Sequence, residues 1–108
     1  MSNGEIVIAC YRPKAGKEAE TLKFAEGHYS TLKNLGFVTE RKPVLFRAAD
    51  NTVIEIFEWA NPGVFDIAHD HPEVQIYWEK MEQVCSFVAP NAVAEMQKGF
   101  PHFKPLNQ

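Results

Sequence analysis

An α+β fold built on one antiparallel sheet is the architecture this sequence predicts, and three observations carry the prediction. Two stretches, Glu5 to Arg12 and Thr52 to Ala60, are apolar on both alternating sets of positions, as strands covered on both faces must be. Two longer stretches repeat apolar residues at helical spacing. Two further strand-like stretches are marked by proline, which confines them to sheet edges. In chain order this reads β-α-β-β-α-β.

The totals bound the answer. With 108 residues the chain makes one domain, since two cores would each bury too little surface. Its 45% hydrophobic and 23% charged residues are those of an ordinary globule. A net charge of −3, with no Lys/Arg cluster, gives no electrostatic footprint for nucleic acid. No apolar run approaches the roughly 20 residues that span a bilayer. MSNGEIVIACYRP lacks a basic residue ahead of its apolar run, so no secretory signal is expected and the location reads as cytoplasmic. Cys10 and Cys85 lie on separate elements without CxxC spacing and read as reduced, buried thiols.

Each element follows from local chemistry. Along Glu5 to Arg12, Ile6, Ile8 and Cys10 alternate with Val7, Ala9 and Tyr11, and Pro13 ends the strand. Lys17 to Leu35 carries Leu22, Ala25, Tyr29 and Leu32 as one helical stripe, with Gly36 placed for a left-handed C-terminal cap. Gly27-His28 interrupts that helix at a cost of about 1 kcal/mol, and His28 beside the stripe reads as a boundary histidine. Phe37 to Arg47, containing Pro43, reads as an edge strand, and Ala49-Asp50-Asn51 as the turn of a hairpin. Thr52 to Ala60 returns with Val53, Phe57 and Trp59 against Ile54 and Ile56.

Asn61-Pro62 reads as an N-cap followed by proline at the first helical position, opening a short helix to about Ala68. His71-Pro72 breaks it. Pro72 then opens a second helix with a regular stripe: Val74, Tyr77, Trp78, Met81, Val84, Cys85 and Val88. Pro90 to Gly99 reads as a turn with a short helical piece, and Phe100 to Leu106 as a last, proline-marked edge strand.

This order matches a ferredoxin-like sheet, spatial order 4-1-3-2, with both helices on one face. The other face would be bare although the inner strands are apolar there too, a liability for a monomer. Burial of about 1,600 Å² against a partner, over half of it apolar, is worth about 20 kcal/mol gross, above most values for the cost of association. A homodimer with sheets face to face is therefore expected.

The strand ending in Glu58-Trp59, then Ala60-Asn61 and a short helix reaching His69, resembles the dimeric α/β-barrel superfamily, in particular its antibiotic-biosynthesis-monooxygenase-like branch. The resemblance covers nearly the whole chain in element order. It implies a dimeric α/β barrel with one cleft per subunit, binding a small aromatic or apolar molecule, and a cofactor-independent, monooxygenase-like reaction as the activity. Haem-degrading relatives carry an asparagine on the first strand. Here that strand ends in Tyr11-Arg12 without one, so no cofactor is expected. The alternative is a non-catalytic binding or stress-related dimer with structural histidines.

His69 and His71 are the candidate catalytic residues, as proton acceptors near neutral pH. On a continuous helix they would point about 200° apart, but the break before Pro72 lets both turn to one cavity. Against this, Asp70 or His71 would cap the long helix and His69 would stand half-exposed. A metal would need Asp66 or Asp70 as a further ligand, and none is expected. Tyr11, Trp59, Tyr77 and Trp78 are the candidate substrate-binding residues, with plain core packing as the competing reading. Glu55 and Glu58, on an apolar strand, are either bases with raised pKa or partners of Arg12, Arg41 or Arg47, the ion pair being the expectation.

Overall fold

The computed structural model describes residues 3–107. Strand β1 (Glu5–Pro13) is followed by helix α1 (Glu18–Asn34), then by the hairpin β2 (Val44–Arg47) and β3 (Val53–Trp59). Helices α2 (Val64–His69) and α3 (Pro72–Glu82) come next, then β4 (Cys85–Val88), two short 3-10 turns (Pro90–Ala92, Ala94–Gln97) and β5 (Lys104–Pro105). The five strands form one open antiparallel sheet in the order β4-β1-β3-β2-β5. An α+β architecture of this kind is compatible with a ferredoxin-like fold.

β1 and β3 are central, as their two apolar faces require, paired from Glu5↔Trp59 to Tyr11↔Val53. The β2–β3 turn closes through Ala48 N–H to Thr52 O (2.9 Å), with Asn51 in the left-handed region at φ 72°.

Three expectations are corrected. The helix predicted to carry Val84, Cys85 and Val88 ends at Glu82, and Cys85–Val88 instead pairs with β1, from Cys10↔Val88 to Pro13↔Cys85. Cys85 still reaches the core against Met81, its thiol donating to the Met81 carbonyl at 3.2 Å. Helix and strand would both bury that side chain, so periodicity did not separate them. The segment Phe100–Leu106, expected as a strand beside β1, contributes only Lys104–Pro105, and these pair with β2 at the opposite edge. Phe37–Lys42 is irregular rather than strand, its backbone pairing with the sheet through one isolated bridge, Val38↔Trp59. In addition, α2 starts after Gly63, whose left-handed φ of 94° replaces the expected Asn61 cap.

α1 and α3 pack on the sheet face that carries Tyr11, Val53 and Phe57, burying Ala25, Leu32, Val74 and Met81 there. The opposite face is not bare throughout. Val93, Met96 and Phe103 from the C-terminal segment cover Cys10, Ile54 and Phe46. Beyond that cover, Ile6, Ile8 and Val44 remain exposed.

Candidate functional site

Gly27 sets the spacing of the two helices over the sheet. A Cβ there would lie 2.9 Å from the Tyr77 hydroxyl, so the missing side chain lets α3 approach α1 closely. Tyr77 uses that approach to donate to the Phe24 carbonyl at 2.6 Å. The close crossing brings the next residue of each helix together: the Trp78 indole N–H donates to His28 Nε2 at 2.9 Å.

His28 is not a boundary residue. It is only 4% exposed, and it stands over β3 with Nδ1 2.8 Å from Glu55 Oε1. Glu55 is fully buried, and the Tyr11 hydroxyl donates to the same Oε1 at 2.5 Å. An indole N–H can only donate, so Nε2 of His28 holds a lone pair and the ring proton sits on Nδ1, where it donates to Glu55. One carboxylate thus fixes the tautomer of one histidine. Glu55 Oε2 is the one buried side-chain nitrogen or oxygen left without a hydrogen-bond partner among the described residues. A buried acceptor in that state costs about 1–3 kcal/mol, and such groups concentrate where function overrides stability.

The expected arginine partner of Glu55 is therefore replaced by a histidine and a tyrosine. Glu58 does take an arginine, Arg41, whose Nε lies 3.1 Å from Oε1, and Thr39 Oγ1 donates to the same oxygen at 2.8 Å. Arg12 turns instead to the Ala92 carbonyl (2.7 Å) and Asp50 (3.4 Å).

A cavity of about 340 Å³ opens against this cluster. Its wall includes Tyr11, His28, Phe57, Trp59, Phe65 and Trp78, and the lining is mostly apolar. Glu55 lies behind Tyr11 and His28, outside the wall. Burial, and then the charge of Glu55, hold the Tyr11 hydroxyl well above its ordinary pKa, so Tyr11 is a hydrogen-bond donor rather than a base. Cys10 also lines the cavity, and burial raises its pKa, which keeps it a thiol instead of a nucleophilic thiolate. Cys10 and Cys85 are both free.

The six residues singled out from the sequence are distributed unevenly. Tyr11, Trp59, Trp78 and His69 line the cavity. His69 does so from its mouth, with the side chain 61% exposed and Nδ1 3.4 Å from Asp70. Tyr77 is outside the wall and stacks on His28, ring centroids 5.8 Å apart. His71 is outside it too and caps α3, accepting from Glu73 N–H at 3.1 Å. Among the described residues no three His, Cys, Asp or Glu side chains converge on a point that could hold a metal.

His28 and Glu55 were the residues that sequence reasoning passed over as a pair. The buried positions of α1 are Thr21, Ala25, His28 and Leu32, a helical stripe hidden because two of its members are polar. The other signal was Glu55 itself, a carboxylate in the middle of an apolar strand; Arg47 shares its sheet face through the pairing with Val53 but bonds Asn51 instead, at 3.2 Å. Comparison with protein-family models, with curated proteins and with solved structures gives no match. No helix among the described residues is long and apolar enough to cross a membrane.

Proposed function

We propose that the cavity receives a small, largely apolar aromatic molecule and that His28, held by Glu55, accepts a proton from it. The observation that carries this reading is the tautomer. Glu55 keeps the His28 proton on Nδ1, so the ring's acceptor lone pair sits on Nε2, on the side of Trp78, and both residues line the cavity. A histidine backed by a buried carboxylate is a recurring arrangement for taking protons at neutral pH. Tyr11 positions Glu55, Trp59 and Phe57 supply the apolar wall, and His69 at the mouth relays the proton to solvent.

The reaction class that fits is a cofactor-independent, monooxygenase-like oxidation. The deprotonated, electron-rich aromatic supplies all four electrons to dioxygen. The substrate gives up its hydroxyl hydrogen and one ring hydrogen; one oxygen atom becomes a new ring carbonyl, and the other leaves as water with those two hydrogens. The active unit is a homodimer joined through the sheet face that leaves Ile6, Ile8 and Val44 exposed. A second reading, a non-catalytic binding protein, has one observation in its favour: Trp78 already occupies the Nε2 lone pair of His28.

The test is dioxygen uptake and substrate loss with a panel of one- and two-ring aromatics, alongside native mass spectrometry of freshly purified protein for a retained ligand. Turnover in the wild type should fall about 100-fold or more in His28→Gln, with circular dichroism confirming the fold. His71→Ala should keep it. Turnover that survives in His28→Gln, or no binding by any panel member, overturns the proposal.

A further inference from the structure

A neutral imidazole has a single acceptor lone pair, and in His28 it is taken. Nδ1 carries the proton that binds Glu55, and Nε2 accepts from Trp78 at 2.9 Å. Any molecule that engages His28 from the cavity must therefore deal with the Trp78 N–H first. Trp78 can give way. It is half-buried, lines the cavity, and rests against Phe65 and His69 of the short α2, with ring centroids 6.2 and 6.1 Å apart.

Four chemistries can be compared at this spot. A carbonyl or ether oxygen accepts but cannot donate to Nε2, so it would leave one acceptor facing another. A carboxylate has the same defect and adds a negative charge to a pocket backed by Glu55. An alkyl amine is protonated at neutral pH and has no lone pair for the indole N–H, and an aryl amine's lone pair is delocalised into its ring. A hydroxyl does both: its O–H donates to Nε2 while its oxygen accepts from Trp78 Nε1, so it can insert between them with neither group left unpaired. The remaining wall, Val7, Ala9, Phe57, Trp59, Phe65 and Phe87, offers contact with an apolar body. Its volume of about 340 Å³ lies at the small end of ligand sites.

Resting on the cavity reading above, we infer that the ligand class is a small aromatic alcohol, a phenol or naphthol, whose hydroxyl inserts between the Trp78 indole N–H and His28 Nε2. The site is then selective for the hydroxyl itself, because a site built around paired polar groups rejects analogues that leave them unpaired.

Isothermal titration with 1-naphthol, 1-methoxynaphthalene and 1-naphthoate tests this on the wild-type protein and on His28→Phe. The wild type should bind 1-naphthol at least 10-fold more tightly than the methyl ether, with the naphthoate weakest. His28→Phe should hold the ether within a few-fold of wild type and lose the naphthol advantage. Equal binding of naphthol and ether to the wild type, or an advantage that survives in His28→Phe, overturns the inference while leaving the cavity reading in place. If neither binds, both fall. Should His28→Phe not fold, nitrogen-15 spectra of histidine-labelled wild type decide. The Nε2 resonance of His28 should move with 1-naphthol and stay with the ether, and no difference between the two overturns the inference.

Discussion

Tyr11→Phe removes one oxygen from a buried polar contact at the centre of the site. The hydroxyl donates to Glu55 Oε1 at 2.5 Å, with Tyr11 4% exposed and Glu55 fully buried, so water cannot replace it. Phenylalanine keeps the ring contacts with His28 (6.2 Å) and Phe87 (5.7 Å), and the packing is nearly unchanged. What is lost is a hydrogen bond to a charged group, worth about 1.5–3 kcal/mol net. Glu55 Oε2 has no partner to compensate, and His28 becomes the only donor on Oε1. The expected loss is about 2 kcal/mol, which for a domain of this size is roughly a 10 °C fall in Tm. Urea unfolding followed by far-ultraviolet circular dichroism, at pH 7 and fixed protein concentration, measures it, with the slope unchanged. A loss below about 0.5 kcal/mol would show that Glu55 does not depend on Tyr11 and that the Tyr11–Glu55–His28–Trp78 chain is not what holds the site.

Alkaline pH should destabilise the protein. Burial pushes the Cys85 thiol up to about 11, and burial followed by the charge of Glu55 pushes Tyr77 to about 12. Both groups bind their proton more tightly folded than unfolded, so stability holds below about pH 9 and falls above it, by roughly 1.4 kcal/mol per pH unit for each group in its window. Urea midpoints that do not move between pH 8 and 10.5 would contradict the burial of these groups; Cys85→Ala should flatten the first part of the fall. Gly27→Ala should lose about 1 kcal/mol or more, although alanine is the better helix former, because its Cβ meets the Tyr77 hydroxyl at 2.9 Å. In a Tyr77→Phe background the same change should instead stabilise, and a thermal double-mutant cycle showing no such reversal would remove the close crossing from the account. Ile8→Lys, on the uncovered sheet face, should convert a dimer to a monomer by analytical ultracentrifugation; a wild type already monomeric at micromolar concentration would end the dimer proposal.

Burial was legible in the chain further than conformation was. The double apolar faces of Glu5–Pro13 and Val53–Trp59 could be satisfied only at the centre of a sheet, and they lie there. His71-Pro72 marked a helix break and an N-cap, and both are present. Cys85–Val88 was misread because its apolar residues continue the α3 stripe. Only the open edge of β1, which needs a hydrogen-bonding partner, turns them into a strand. The same limit hid the site. His69 and His71 drew notice as neighbours in sequence, whereas His28 and Glu55 lie 27 residues apart and meet because α1 crosses β3.

Periodicity, proline and glycine thus determined which segments go inside and where elements break, since those depend on local sterics and on removing apolar surface from water. Which polar atoms share that interior was decided by the tertiary packing alone. A hydrogen bond needs its two partners within about 3 Å, and the Trp78–His28–Glu55–Tyr11 chain reaches that distance only once two helices and two strands have closed on each other.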